Sequence, residues 1–214
     1  MPPKIPIYFL LTILLFAMNQ IIHTFIKNNT QQLDRKYRYR LRVTPLILLC
    51  FMFVLVVNKT AHPILAILYC LFTSALLLLS IIDLLTYEIP IQINYFIGVL
   101  GIVRILTDPA NLMSYLIGFF CISGFLYIIY VLTKGRGIGG GDIKLMAVSG
   151  LVVGFPNIVV AFLIGCILGS VIHTIRCKVS KADHVLAFGP YLSAGLVISI
   201  LYGEKIIQWY VGLF

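Results

Sequence analysis

Charge is what this sequence has least of. Of its 214 residues, 11% are Asp, Glu, Lys or Arg, where a soluble domain carries about 25%. Acids are scarcer still, at seven against sixteen basic residues. With 61% hydrophobic residues and a mean hydropathy of +1.06, the chain is expected to lie in a membrane. The five cysteines, Cys50, Cys70, Cys121, Cys166 and Cys177, form no CxxC pair. The clustered thiolates or imidazoles of a zinc site are missing, so these cysteines read as small fillers of helix interfaces. His23, His62, His173 and His184 have no metal-ligand spacing either. There is no low-complexity tract or linker, which leaves one domain over residues 1–214. The first apolar run, Ile5–Ile26, is long enough to span a bilayer and is not closed by a small-residue cleavage site, so no removable signal peptide is expected.

What is present is a series of apolar runs. A spanning helix needs roughly 20 apolar residues. The candidates are Ile5–Ile26, Val43–Val57, Pro63–Ile82, Ile91–Leu106, Leu112–Leu132, Ile143–Gly154, Asn157–Ile175 and Val185–Tyr202. The expected fold is all-α, a polytopic membrane protein of about eight helices with its N-terminus outside. The segment from Gly203 to Phe214 reads as an amphipathic surface stretch.

The net charge of +9 could suggest nucleic acid, but the positives form no face with interleaved aromatics. They sit in short connections. With the N-terminus outside, Lys27, Arg35, Lys36, Arg38, Arg40, Arg42, Lys134, Arg136, Lys144, Arg176, Lys178 and Lys181 all fall inside, twelve of the sixteen basic residues. That is the positive-inside asymmetry. It also requires a break at Phe155-Pro156-Asn157, where proline interrupts a helix. One long helix over Ile143–Ile175 would put Arg176, Lys178 and Lys181 outside.

This topology gives two aspartates a shared depth. Asp83 follows a span running inward and Asp142 precedes one running outward, so both land at the cytoplasmic boundary. Ionisable groups in such a place are costly and suggest function. Two carboxylates at one site can act as general base and general acid on one bond; they share a proton and titrate as a unit. Gly139, Gly140 and Gly141 before Asp142 allow close approach of a substrate. The helix start at Asp142 favours its ionised form, leaving Asp83 as the proton-bearing member. Gly165 and Gly169 read as a close helix contact, and Gly189-Pro190 as the start or a kink of the last span. Read singly, Asp142 could be a helix cap and Asp83 the partner of a headgroup-level cation. Glu88 reads as a solvated side chain or a contact for a basic substrate segment.

The flanking residues resemble those of the bacterial type IV prepilin peptidases, membrane aspartyl proteases of the GxGD type. The likeness lies in Asp83 followed by Ile89-Pro90, in Gly137-Ile138-Gly139-Gly140-Gly141-Asp142-Ile143-Lys144-Leu145, and in Phe188-Gly189-Pro190-Tyr191-Leu192. It covers roughly residues 63–200. It implies an endopeptidase that removes the short basic leader of type IV prepilins or pseudopilins at the cytoplasmic face of the bacterial inner membrane. Asp83 and Asp142 would be catalytic, Gly139, Gly140, Gly141, Lys144 and Pro90 would position the site, and no cofactor is needed beyond water. Anionic lipids would offset the positive inner face. Two features depart from the family. Ile91 stands where Asp or Asn is usual, and the connection Asn28–Arg42 lacks the CxxC pairs linked to N-methylation in many members. A short, peptidase-only form is therefore expected. The residues by themselves also fit an archaellin-type or presenilin-like protease with another substrate, a carboxylate-dependent transporter, or a silent assembly factor.

Overall fold

The computed structural model describes residues 35–60, 62–180 and 186–213, with single positions at 17, 20 and 24. The first expected span, Ile5–Ile26, therefore lies outside the described residues except at those positions, as do residues 28–34, Lys181 and His184. Among the described residues all regular structure is helical. The α-helices are α1 (Arg35–Lys59), α2 (Pro63–Thr86), α3 (Ile91–Thr107), α4 (Leu112–Leu132), α5 (Gly140–Val153), α6 (Asn157–Ser180) and α7 (Gly189–Val211), with a 3-10 turn at Pro109–Asn111.

Pro63–Thr86, Pro109–Leu132 and Asn157–Lys178 are long and apolar enough to cross a membrane, and Thr44–Lys59 and Ile91–Thr107 are shorter apolar helices. At 1.5 Å per residue, the 24 residues of α2 extend about 36 Å, more than the roughly 30 Å of a hydrocarbon core. The chain is an all-α membrane protein.

Several boundaries differ from the sequence reading, two of them most. The basic stretch Arg35–Arg42, expected in a connection, is the first part of α1; Arg and Lys are good helix formers. The stretch from Gly203, expected as a separate surface segment, continues α7 to Val211. Gly203 does not break the helix because it is a contact point: a Cβ there would meet the Asn157 side chain.

The chain forms two compact units, Met1–Leu78 and Leu79–Phe214, divided within α2. The first holds α1 and most of α2, with Leu49, Phe53, Val56, Leu68, Phe72 and Leu76 buried.

In the second unit α5 is central, touching α3, α4, α6 and α7. Glycines let these helices meet backbone to backbone. Gly118 of α4 and Gly150 of α5 are in such contact that a Cβ on either would strike the carbonyl oxygen of the other. Gly165 of α6 lies against Leu192 of α7, and Gly195 of α7 against the Ala161 carbonyl. Gly169 packs under Phe188, so the Gly165–Gly169 pair does mark a close interface.

The expected break after α5 is present. Gly154 takes φ +72°, and the next residue is tied to α4: Ser114 Oγ donates to the Phe155 carbonyl at 2.6 Å, and the Phe155 N–H donates to the Ser114 carbonyl at 3.0 Å.

These contacts set directions. Gly98 faces Val148 and Gly101 faces Leu151, so α3 and α5 run parallel. Gly118 faces Gly150 and Tyr115 lies by Gly154, so α4 is antiparallel to α5. By the same reasoning α6 is antiparallel to α7. The start of α5 therefore lies at the same end as the start of α3.

Candidate active site

Asp83 lies in the last turn of α2. That helix closes with the Tyr87 N–H donating to the Asp83 carbonyl at 2.8 Å and Thr86 Oγ1 donating to the Ile82 carbonyl at 2.9 Å. Tyr87 then adopts a left-handed φ of +55°. For a non-glycine residue that conformation is strained and often functional. It turns the chain sharply into Ile89-Pro90, and extended Pro90 precedes α3, where proline's fixed φ and missing N–H cost nothing.

Asp142 lies in the first turn of α5, after extended Gly139, and its N–H donates to the Gly139 carbonyl at 3.2 Å. Ile89 joins the two segments. A Cβ on Gly141 would stand 2.9 Å from the Ile89 Cβ, so the turn after Asp83 is seated on the backbone beside Asp142.

The start of α7 supplies the third element. The Gly189 N–H donates to Asp83 Oδ2 at 2.8 Å across 106 positions of sequence. A Cβ on Gly189 would stand 2.7 Å from the same oxygen and 3.0 Å from Leu79 Cδ2. Only glycine lets this helix end close on the carboxylate, and a helix N-terminus is a natural seat for an anion.

Asp83 is 4% exposed and Asp142 9%, and the turn that follows Asp83 is seated beside Asp142 through Ile89 and Gly141. Among the described residues neither forms an ion pair. Two buried acids that share a site and lack a cation form an arrangement suited to splitting a proton between them. The division of that proton expected from sequence, ionised Asp142 and protonated Asp83, considered only the α5 terminus. The Gly189 N–H serves an ionised Asp83 and acts against that assignment, so the proton is better ascribed to the pair.

The other expected site residues differ in how closely they approach. Gly139 sits against the Asp142 carboxylate, a Cβ there standing 3.1 Å from Oδ2, and Gly141 against Ile89. Gly140 is exposed, and a Cβ on it would meet nothing within 4 Å. Lys144 is exposed, two residues on from Asp142 and so on another side of α5. Pro90 acts through the helix start. The sequence reading had Gly189 as a helix start and not as a site residue; its signal was the Gly-Pro pair itself.

The Type IV leader peptidase family matches this chain over residues 70–174, a stretch that contains both aspartates. Residues 70–174 belong to the type IV leader peptidase family. Relatives called prepilin leader peptidase/N-methyltransferase occur in several bacteria. The one from Bacillus subtilis (strain 168) is 31% identical over 145 residues, covering 65% of this chain and 57% of the relative. The Legionella pneumophila protein is 33% identical over 90 residues, 41% of this chain and 31% of the relative. The Stutzerimonas stutzeri protein is 26% identical over 150 residues, 66% of this chain and 51% of the relative. The match thus spans about half the length of these leader peptidase relatives, or less. No solved structure matches the chain significantly.

Proposed function

We propose that this leader peptidase family member is an aspartic endopeptidase, with Asp83 and Asp142 as its catalytic pair. The observation that carries the reading is a pair of buried carboxylates, at the end of α2 and the start of α5, whose segments join through Ile89 and Gly141 and which have no counter-ion among the described residues. One carboxylate takes a proton from water as its oxygen bonds to the scissile carbonyl carbon. The other carboxyl gives its proton to the departing amine as the C–N bond breaks. The products are a free carboxyl and a free amine, and the pair regains its single shared proton. Gly189 holds Asp83, Gly139 and Gly141 hold Asp142, and no cofactor takes part.

The substrate class proposed is a type IV prepilin or pseudopilin, cut between its short basic leader and its apolar helix at the cytoplasmic side of the bacterial inner membrane. A protease whose carboxylates sit at the mouth of a helical membrane bundle suits a peptide bond just outside an apolar segment. The basic residues of Lys134–Lys144 and of Arg176–Lys178 would draw anionic lipids to that side, and nucleic acid has no part in this reading. N-methylation is not included in the proposal.

The test is co-expression of the full chain with a candidate prepilin, followed by the gel shift of the cleaved product. Asp83→Asn and Asp142→Asn should each abolish the shift while the protein stays in the membrane. Wild-type processing by either variant would refute the pair.

A further inference from the structure

Asn94 is the anomaly of the second unit. It lies on the buried stripe of α3 with Ile93, Ile97, Leu100 and Gly101. It is 3% exposed, and among the described residues neither its amide nitrogen nor its amide oxygen has a hydrogen-bond partner. Leaving a buried polar group unmatched costs stability, so each such group calls for an explanation.

The other unmatched atoms have simpler accounts. The Ser149 and Ser193 hydroxyls can turn onto carbonyls of their own helices. Arg104 leaves only Nε unmatched, because its Nη2 pairs with Asp108. Asn157 leaves only its oxygen, because its Nδ2 donates to the Val153 carbonyl. Among these, only Asn94 leaves two polar atoms unmatched.

Its position follows from the register of α3 on α5. Gly98 faces Val148, Gly101 faces Leu151 and Ile89 faces Gly141. One turn before Gly98 is Asn94, and one turn before Val148 is Lys144–Leu145. Asn94 is thus level with Leu145, three residues inward from Asp142, or about 4.5 Å along the axis at 1.5 Å per residue. One turn earlier, Ile91 and Gln92 are exposed, so Asn94 is the first buried polar group inward from the mouth of the site on α3.

A carboxamide offers a donor and an acceptor side by side, the complement of the C=O and N–H of an extended peptide. We propose that Asn94 binds the substrate's peptide backbone on the membrane side of the scissile bond. This deepens the peptidase reading and rests on it. The free enzyme carries the unmatched amide as a cost in stability, and the substrate backbone matches it. Such conflicts between stability and local chemistry concentrate at functional sites.

The test compares full-chain wild type, Asn94→Leu and Asn94→Thr in detergent, with rates normalised to folded protein. Leucine removes the unmatched amide at similar volume, so Tm should rise. Loss of one or two substrate hydrogen bonds should lower kcat/KM about 10- to 100-fold, chiefly through KM. Asn94→Thr, the second variant should the leucine protein fail to fold, should show the same KM defect.

Binding of the same prepilin peptide is measured on Asp142→Asn protein with and without Asn94→Leu, and about tenfold weaker binding is expected. Wild-type kcat/KM in either Asn94 variant, or equal affinity in the binding arm, overturns the assignment. Binding that depends on Asn94 in a protein whose wild type cuts nothing would uphold the contact and tell against the peptidase reading.

Discussion

Carboxylates at the two ends of α3 are treated in opposite ways. Beyond its C-terminal end, Asp108 is saturated. It pairs with Arg104 at 3.2 Å, accepts the Tyr115 hydroxyl at 2.7 Å, and accepts the Asn111 amide at 3.1 Å on each oxygen. The Arg104 guanidinium lies 5.3 Å from the centre of the Tyr115 ring. At the N-terminal end, Asp83 has one side-chain hydrogen bond, from Gly189, and neither Asp83 nor Asp142 has a counter-ion among the described residues. A carboxylate that only has to hold two helices together can take every donor it reaches. On the function proposed, the other pair must meet a water and a peptide bond and so keep lone pairs free, and a backbone N–H steadies such a carboxylate without neutralising it.

The sharpest way to break this contrast is to neutralise either carboxylate at the N-terminal end. Asp83→Asn or Asp142→Asn should lower cleavage by at least about 10³-fold, the scale of a lost general acid or base. Tm should hold or rise in both. A fall in Tm with activity kept would make these aspartates structural.

Gly189→Ala and Gly141→Ala probe the same end through its backbone. Their Cβ atoms would stand 2.7 Å from Asp83 Oδ2 and 2.9 Å from the Ile89 Cβ. Moving a reacting group by about 1 Å can cost on the order of 10²-fold, so kcat should fall 10- to 100-fold while the protein still inserts. Wild-type turnover in both would show that the site tolerates this displacement.

Gly150→Ala lies between the two ends. Its Cβ would strike the Gly118 carbonyl, and overpacking of this kind costs about 1–3 kcal/mol. Thermal unfolding in detergent should show it, with activity falling only as folded protein is lost.

The smallest effect belongs to Asp108→Asn. An ion pair with partly exposed side chains is worth about 1 kcal/mol or less, and cleavage should not change. The Tyr115 hydroxyl, then the Asn111 amide and Arg104, hold Asp108 below the ordinary carboxylate value of 3.8. A depressed folded-state value gives stability that is complete above that range and is lost as the pH falls through the folded value. The Tm gap between wild type and Asp108→Asn should therefore be full at neutral pH and close below about pH 4. A gap that widens with acid would contradict this account.

Much of this was legible along the chain. Pro63, the Phe155-Pro156-Asn157 break and Gly189-Pro190 all lie at helix boundaries, because proline and glycine act on their own backbone. The stretch Leu112–Leu132 was read to the residue, because both ends leave the apolar run. The extension of α7 past Gly203 was not legible. A glycine in a helix is tolerated when another chain segment presses on it, and Asn157 lies 46 positions away. Asp108 was not singled out either, since its partners Arg104, Asn111 and Tyr115 become a cluster only when the chain turns between α3 and α4.

The sequence by itself determined that the chain lives in a membrane and which family the flanking motifs resemble, and its charge pattern led to the expectation that Asp83 and Asp142 share a depth. Hydropathy and charge asymmetry act along the membrane normal, one span at a time, so they can be read from one dimension. Tertiary structure decided what happens across the membrane plane: that Ile89 seats on Gly141, that Gly189 reaches Asp83, and that Asn94 is buried without a partner among the described residues. Lateral neighbours are set by which small residues let distant helices touch, as at Gly118 with Gly150 and Ala161 with Gly195. A small residue can be read as a contact point, as at Gly165 and Gly169, but the sequence does not say which distant residue it will meet.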